Sequence, residues 1–183
     1  TKNELDSAAG EIETTVLLRM SRAGEILGYR FAKGSRAETR NLLRTLMSSL
    51  LPVLPETDAD TWTVQQSDAG GPADFEYRWV ARPAAGAPGS LERAKVSQAS
   101  TDEQAKLSVA SSAGTLTIDS DLRWPREGSY REALGLAVED AGVHATMTSS
   151  VEFALVSVGR LSASEFDVID WDLSWESASG AGE

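Results

Sequence analysis

The chain has 183 residues, 41% of them hydrophobic and 25% charged, which suits one globular domain with an ordinary core. Its net charge of −11 works against binding nucleic-acid phosphates and against electrostatic docking on an anionic membrane. It has no cysteine, which excludes disulfides and thiol chemistry, and no apolar run reaches the length of a membrane-spanning helix.

Residues 1–10 and 176–183 are small and polar and read as loose ends, leaving 11–175 as a single β-domain. "TTVLLRMS" alternates, with Val16, Leu18 and Met20 on one face; after a turn at Ala23-Gly24, "EILGYRFA" places Leu27, Tyr29 and Phe31 together. "SRAE" (Ser35 to Glu38) is a capping box that starts a helix, and Pro52 stops it, so the helix is predicted over 35–51. Its Leu42, Leu43, Leu46, Met47, Leu50 and Leu51 sweep an arc of about 180°, where a surface helix needs only ~100°. A helix that apolar is expected to be covered on two sides. Arg36, Arg40 and Arg44 run along one edge of the arc, placed to lay their stems on apolar surface with their heads in water.

The strands resume after the helix. "TWTV" sets Trp62 with Val64 and "FEYRWV" sets Phe75, Tyr77 and Trp79 in phase, with "SDAGGPAD" between them as a wide hairpin loop. "ARPAAGAPGS" (81–90) reads as a long loop. "KLSVA", a turn at "SSAG" and "TLTIDSDLRW" predict a further hairpin with Leu116, Ile118, Leu122 and Trp124 on one face. "SYRE" (129–132) repeats the capping pattern and predicts a short second helix before Gly135. "GVHATMTSSVEFALVSVG" alternates over a long stretch, with Val143, Ala145, Met147, Val151, Phe153 and Leu155 in phase, and "IDWDLSW" alternates Trp171, Leu173 and Trp175. Hairpin-type connections between all these strands imply an antiparallel sheet with one wet face. The expected fold is mainly β with one central helix, an antiparallel and strongly curved sheet or barrel wrapping the helix 35–51.

Charge is unevenly spread. Arg19, Arg22, Arg30, Lys33, Arg36, Arg40 and Arg44 stand against Glu25 and Glu38, whereas residues 139–183 hold nine acids and only Arg160. The two regions are expected to neutralise each other within the fold, with a basic protein partner for the acidic end as the alternative.

The pattern Arg40, Asn41, Leu42, Arg44, Leu46, Ser49 and Leu50, then Trp62 and Val64, then Asp68, Gly70 and Tyr77, resembles the N-terminal β-barrel module of the large lipid transfer proteins, the family of vitellogenin, apolipoprotein B and the microsomal triglyceride transfer protein. The resemblance covers about the first 80 residues and implies a curved antiparallel sheet around a central helix. In that family the barrel module serves contacts with receptors or partner subunits. At the level of fold, the expected architecture is also similar to the bacterial envelope carriers of lipoproteins and lipids, in which a half-open sheet wraps a helix over an apolar hollow.

No catalytic signature stands out: no G-x-S-x-G, P-loop or dinucleotide fingerprint is present. His144, the only histidine, falls on the expected wet face of its strand, and Asp119, Asp121, Asp167, Asp170 and Asp172 lack calcium-loop spacing, so no metal site and no cofactor are predicted. Leu42, Leu46, Met47, Leu50, Trp62, Trp79, Trp171 and Trp175 are the candidates to line a hydrophobic ligand or the core, with Trp171 and Trp175 suited to the mouth of a cavity or to stacking on a partner. The chain is therefore expected to be non-enzymatic: a carrier of a lipid or other apolar small molecule, or the partner-binding barrel of a lipid transfer assembly. The alternative is a ligand-free protein–protein interaction or structural β-module of the cell envelope. An extracytoplasmic location, periplasmic or secreted, is the setting expected for either.

Overall fold

A computed structural model describes residues 15–68, 71–100, 105–138, 142–157 and 162–177. The expected loose end at 1–10 lies outside the described residues. The chain is mainly β, with few helices and two antiparallel sheets: one of three strands, and a six-stranded meander in which each strand pairs with the next in sequence. It divides into two compact units, residues 1–47 with 159–183, and residues 48–158. Among the described residues no helix is long and apolar enough to cross a membrane.

The first unit is built on a hairpin of β1 (Val16–Met20) and β2 (Ile26–Phe31), turned by Gly24 at φ 93. The inward residues Tyr29 and Phe31 are buried and stack 6.1 Å apart. Helix α1 (Ala37–Leu50) follows, within the predicted bounds 35–51. The Ser35 hydroxyl donates to the Ala32 carbonyl at 2.6 Å. A capping box also forms at Ser162 and Glu165, which open the short helix α2 (Ala163–Asp167), an element that alternation did not suggest. Residues 176 and 177, expected in the loose end, form a short strand on the free side of β2, with Gly28 opposite Ser177 and Tyr29 opposite Glu176. Gly28 permits this approach, since a Cβ there would meet the Glu176 carbonyl oxygen at 3.0 Å. The strand expected over "IDWDLSW" does not form: Trp171 makes an isolated bridge to Ala32, and 172–175 are irregular.

The uneven charge is resolved inside this unit as expected. Arg40 reaches Asp172 at 2.7 Å and Glu176 at 3.0 Å, Arg44 pairs with Glu176, and Lys33 pairs with Asp170. The guanidinium groups of Arg40 and Arg44 also lie over the Phe31 ring, each 5.4 Å from its centre. The two arginines thus grip the acidic tail instead of pointing to water, because a carboxylate and an aromatic face are both within their reach.

The second unit is the meander: β3 (Thr61–Asp68), β4 (Gly71–Ala81), β5 (Gly89–Gln98), β6 (Ala105–Ile118), β7 (Pro125–Val138) and β8 (Val143–Ala154). β3 and β8 are its two edges, so among the described residues the sheet is open and not a closed barrel. Four local expectations give way here. The wide loop 67–74 is a tight hairpin, with Asp68 opposite Gly71 and Gly71 at φ 128. "SSAG" is no turn: β6 runs through it with a bulge between Val109 and Ser111. The turn falls at 119–124, where the Asp119 carboxylate accepts the backbone N–H of Asp121 at 2.8 Å and of Leu122 at 2.9 Å, so Leu122 is turned out and exposed. "SYRE" is the middle of β7 and not a helix, because Tyr130 is paired on both sides, with Gly114 of β6 and Val151 of β8.

The fourth change is β5, a strand lying partly in the predicted loop 81–90. Its inward side chains are Leu91, Arg93 and Lys95, all buried, so a fully inserted strand carries two cations where alternation looks for apolar residues. Around it the core gathers Leu54, Phe75, Tyr77, Leu91, Leu116 and Ile118, with Trp62, Trp79 and Phe153 packed against them. Gly114 faces the same side between Arg93 and Tyr130, and a Cβ there would meet the Tyr130 ring at 2.8 Å and the Ser129 carbonyl oxygen at 2.9 Å. Gly114→Val is therefore expected to lower the unfolding free energy by ~1–3 kcal/mol, read from the urea midpoint. An unchanged midpoint would show that Tyr130 does not need that gap.

Candidate functional site

The inner face of the meander follows from its register. Cross-strand rows carry Trp62, Tyr77, Arg93, Gly114, Tyr130 and Val151 in one line, and Val64, Phe75, Lys95, Glu132 and Ser149 in the next. The Ser112 hydroxyl joins the second row by accepting the Lys95 backbone N–H at 2.7 Å. These rows form a polar belt across the middle of the face.

At its centre the Lys95 ammonium, whose side chain is 1% exposed, lies 2.5 Å from Asp68 and 2.7 Å from Glu132, themselves 8% and 15% exposed. Glu132 is further held by the Tyr130 hydroxyl at 2.9 Å and the Ser149 hydroxyl at 3.2 Å. The Tyr130 oxygen lies 3.0 Å from Ser112. On the other flank the Tyr77 hydroxyl donates to Gln66 at 2.5 Å. Arg93 is caged by rings: its guanidinium carbon is 4.0 Å from the centre of Phe75, 5.0 Å from Tyr130 and 5.8 Å from Tyr77, and one N–H reaches the Ser48 carbonyl at 3.5 Å. Its Nε has no hydrogen-bond partner, so aromatic faces do much of the work of holding this cation.

Burial raises all three tyrosines of the chain above their ordinary value of 10.0. Tyr29 is pushed up to about 12, Tyr77 is raised against the opposing charge of Arg93, and Tyr130 is raised against its Ser112 hydrogen bond and the charge of Arg93. The belt thus consists of paired charges and phenols that stay protonated. Its hydrogen bonds and ion pairs tie β3, β5, β7 and β8 together.

Beyond the belt the same face turns apolar again. Leu107 and Val109 of β6, Leu134, Leu136 and Val138 of β7, and Ala145 and Met147 of β8 lie in register on it. All stay partly or fully exposed, Met147 at 48%. The near end of the face is filled by Leu54 and the tryptophans; among the described residues this far end is not. An open groove of about 540 Å³ is lined by polar Thr115, Thr117, Glu127, Ser129 and Glu152 and by apolar Phe153 and Ala154.

The sequence-predicted lining residues are dispersed. Trp62 and Trp79 come together, 5.9 Å apart, with Trp62 stacked on Tyr77 and its indole N–H donating to the Val53 carbonyl at 2.8 Å. On α1, Leu50 is buried, Leu46 and Met47 are half-buried, and Leu42 is 39% exposed, so the apolar arc is not covered along its length. Trp171 is buried against Phe166 at 5.4 Å, whereas Trp175 is partly exposed under the Arg19 guanidinium, also at 5.4 Å. His144 is exposed on β8. The belt residues Asp68, Arg93, Lys95, Tyr130 and Glu132 were not anticipated as a group; the available signal was that Arg93 and Lys95 follow Leu91 at strand spacing. No protein-family model, curated protein or solved structure matches this chain.

Two outcomes follow. Lys95→Ala leaves Asp68 and Glu132 buried without their cation and is expected to cost ~3–5 kcal/mol in urea unfolding, with Glu132→Gln in the same chain recovering part of it. For the tyrosines the folded values lie above the unfolded value of 10.0, so the unfolded chain loses protons first as pH rises. Stability is expected to be intact below pH 10 and to fall from there towards pH 12, and absorbance at high pH should show no phenolate forming near pH 10 in the folded protein.

Proposed function

We propose that this chain is a non-enzymatic binding protein that lays an apolar ligand, of the acyl-chain class, against the far half of the meander's inner face. The observation that carries the reading is the row of Leu107, Val109, Leu134, Leu136, Val138 and Met147, held in register on one face yet left partly exposed. Soluble domains rarely leave so continuous an apolar surface without a use for it.

The reading includes a sheet curled towards that face. Adjacent strands lie ~4.8 Å apart, so β3 and β7 would stand ~19 Å apart in a flat sheet. One ammonium nevertheless touches Asp68 of β3 and Glu132 of β7, at 2.5 and 2.7 Å. On this reading the strands bend around Lys95 so that side chains of that length can meet, and the far apolar field is a trough suited to a chain-like ligand. The belt then serves as the trough's rigid end wall.

Native mass spectrometry of freshly purified protein, with solvent extraction, tests this directly. A bound species of several hundred daltons (~300–800, the range that fills a typical pocket), lost on Leu136→Glu, is the expected result. A bare mass of 19.5 kDa, unchanged after incubation with phospholipid vesicles, would overturn it.

A further inference from the structure

Strand β8 is an edge without the usual protections. Its sequence, VHATMTSSVEFA, has no proline, lysine, arginine or glycine, and it pairs with β7 over twelve consecutive residues without a bulge. Natural edges are ordinarily blunted by such residues, by irregularity or by brevity. Every side chain from His144 to Ser150 is exposed, so among the described residues nothing lies over this edge.

The strand also matches itself. Antiparallel pairing about a two-fold axis must set inner-face residues against inner-face residues, which restricts the registers available. Two registers share the greatest overlap, eleven residues, centred on Thr148 and on Ser149, and only the one centred on Thr148 sets His144 against Glu152. On the inner side the Thr148-centred register sets Ala145 against Val151 and Met147 against Ser149. On the wet side it sets Thr146 against Ser150, and His144, a side-chain donor, against Glu152, the strand's only carboxylate. Each copy thus offers a donor to the other's acid, twice over.

We propose that a second copy of this chain pairs with β8 in this register, joining two six-stranded meanders into one continuous antiparallel sheet. The inference stands apart from the ligand reading, since the edge is complete with or without a ligand. In the paired assembly both inner faces lie on the same side.

Sedimentation equilibrium on the full chain is expected to give twice the mass of 19.5 kDa at tens of micromolar. The absence of native cysteine allows a register test. Residues directly opposite lie ~4.5–5.5 Å apart, within disulfide range, whereas a residue four positions from its own copy lies ~13 Å away. Thr148→Cys alone should therefore form a disulfide-linked dimer under mild oxidation, and Thr146→Cys or Ser150→Cys alone should not, while a mixture of those two should. His144→Glu should weaken association roughly tenfold, with Glu152→Lys in the same chain restoring it. A monomer at hundreds of micromolar, or linkage of Thr146→Cys alone as readily as Thr148→Cys, would overturn the proposal.

Discussion

The meander depends on one buried ammonium shared by two carboxylates. Taking Lys95, Asp68 and Glu132 out of water costs several kcal/mol for each ion, and only close, hydrogen-bonded geometry recovers it. Here both carboxylates lie within 2.7 Å of the ammonium, and Glu132 is further held by the hydroxyls of Tyr130 and Ser149. The three charges come from β3, β5 and β7, so they meet only when all the intervening strands are in register. A slip of one residue would turn Lys95 to solvent and leave two acids stranded among aromatic rings. A slip of two residues keeps the same face inward, and an all-apolar face would tolerate that far better, because hydrophobic contact has no direction.

The same belt divides the inner face into two apolar fields. On one side Leu54, Trp62, Trp79, Leu116 and Ile118 close over one another, and that field is ordinary core. On the other side no described segment brings the row from Leu107 to Met147 to full burial. The belt therefore separates a filled apolar field from one whose residues stay partly exposed. Arg93, caged by Phe75, Tyr77 and Tyr130, sits on the boundary and is reached by Tyr130 only because Gly114 carries no side chain.

Where strand alternation is strictly apolar against polar, the sequence was readable: β1, β2, β3, β4 and β8 lie where Val16 to Met20, Tyr29 and Phe31, Trp62 and Val64, Phe75 to Trp79, and Val143 to Phe153 placed them. It failed where a long-range partner, and not polarity, makes a residue inward. β5 was hidden because Arg93 and Lys95 are acceptable inside only through rings and carboxylates contributed by other strands. β7 was misread because Ser129 and Glu132 carry the spacing of a helix cap, while their actual partners are Thr115 at 3.3 Å and Lys95 at 2.7 Å. Of the candidate lining residues, Trp62 and Trp79 were legible as inward neighbours. Trp171 and Trp175 were not, because the bridge to Ala32 and the pairing of 176 and 177 with β2 replace the strand that alternation implied.

Edge and trough bear on each other through the parity of a strand. The inner-face residues of β8, among them Ala145, Met147, Val151 and Phe153, are also those that self-pairing sets opposite one another on a single side. A two-fold axis perpendicular to the sheet keeps both inner faces on that side, so joining the edges would extend the apolar field across the junction instead of burying it. A chain-like ligand gains with each apolar ångström it covers, at ~25 cal/mol per Å². A sheet doubled along β8 would therefore present a longer track than either copy alone. The absence of lysine and proline from β8, a hazard in a solitary sheet, is on this account what leaves the strand free to be continued.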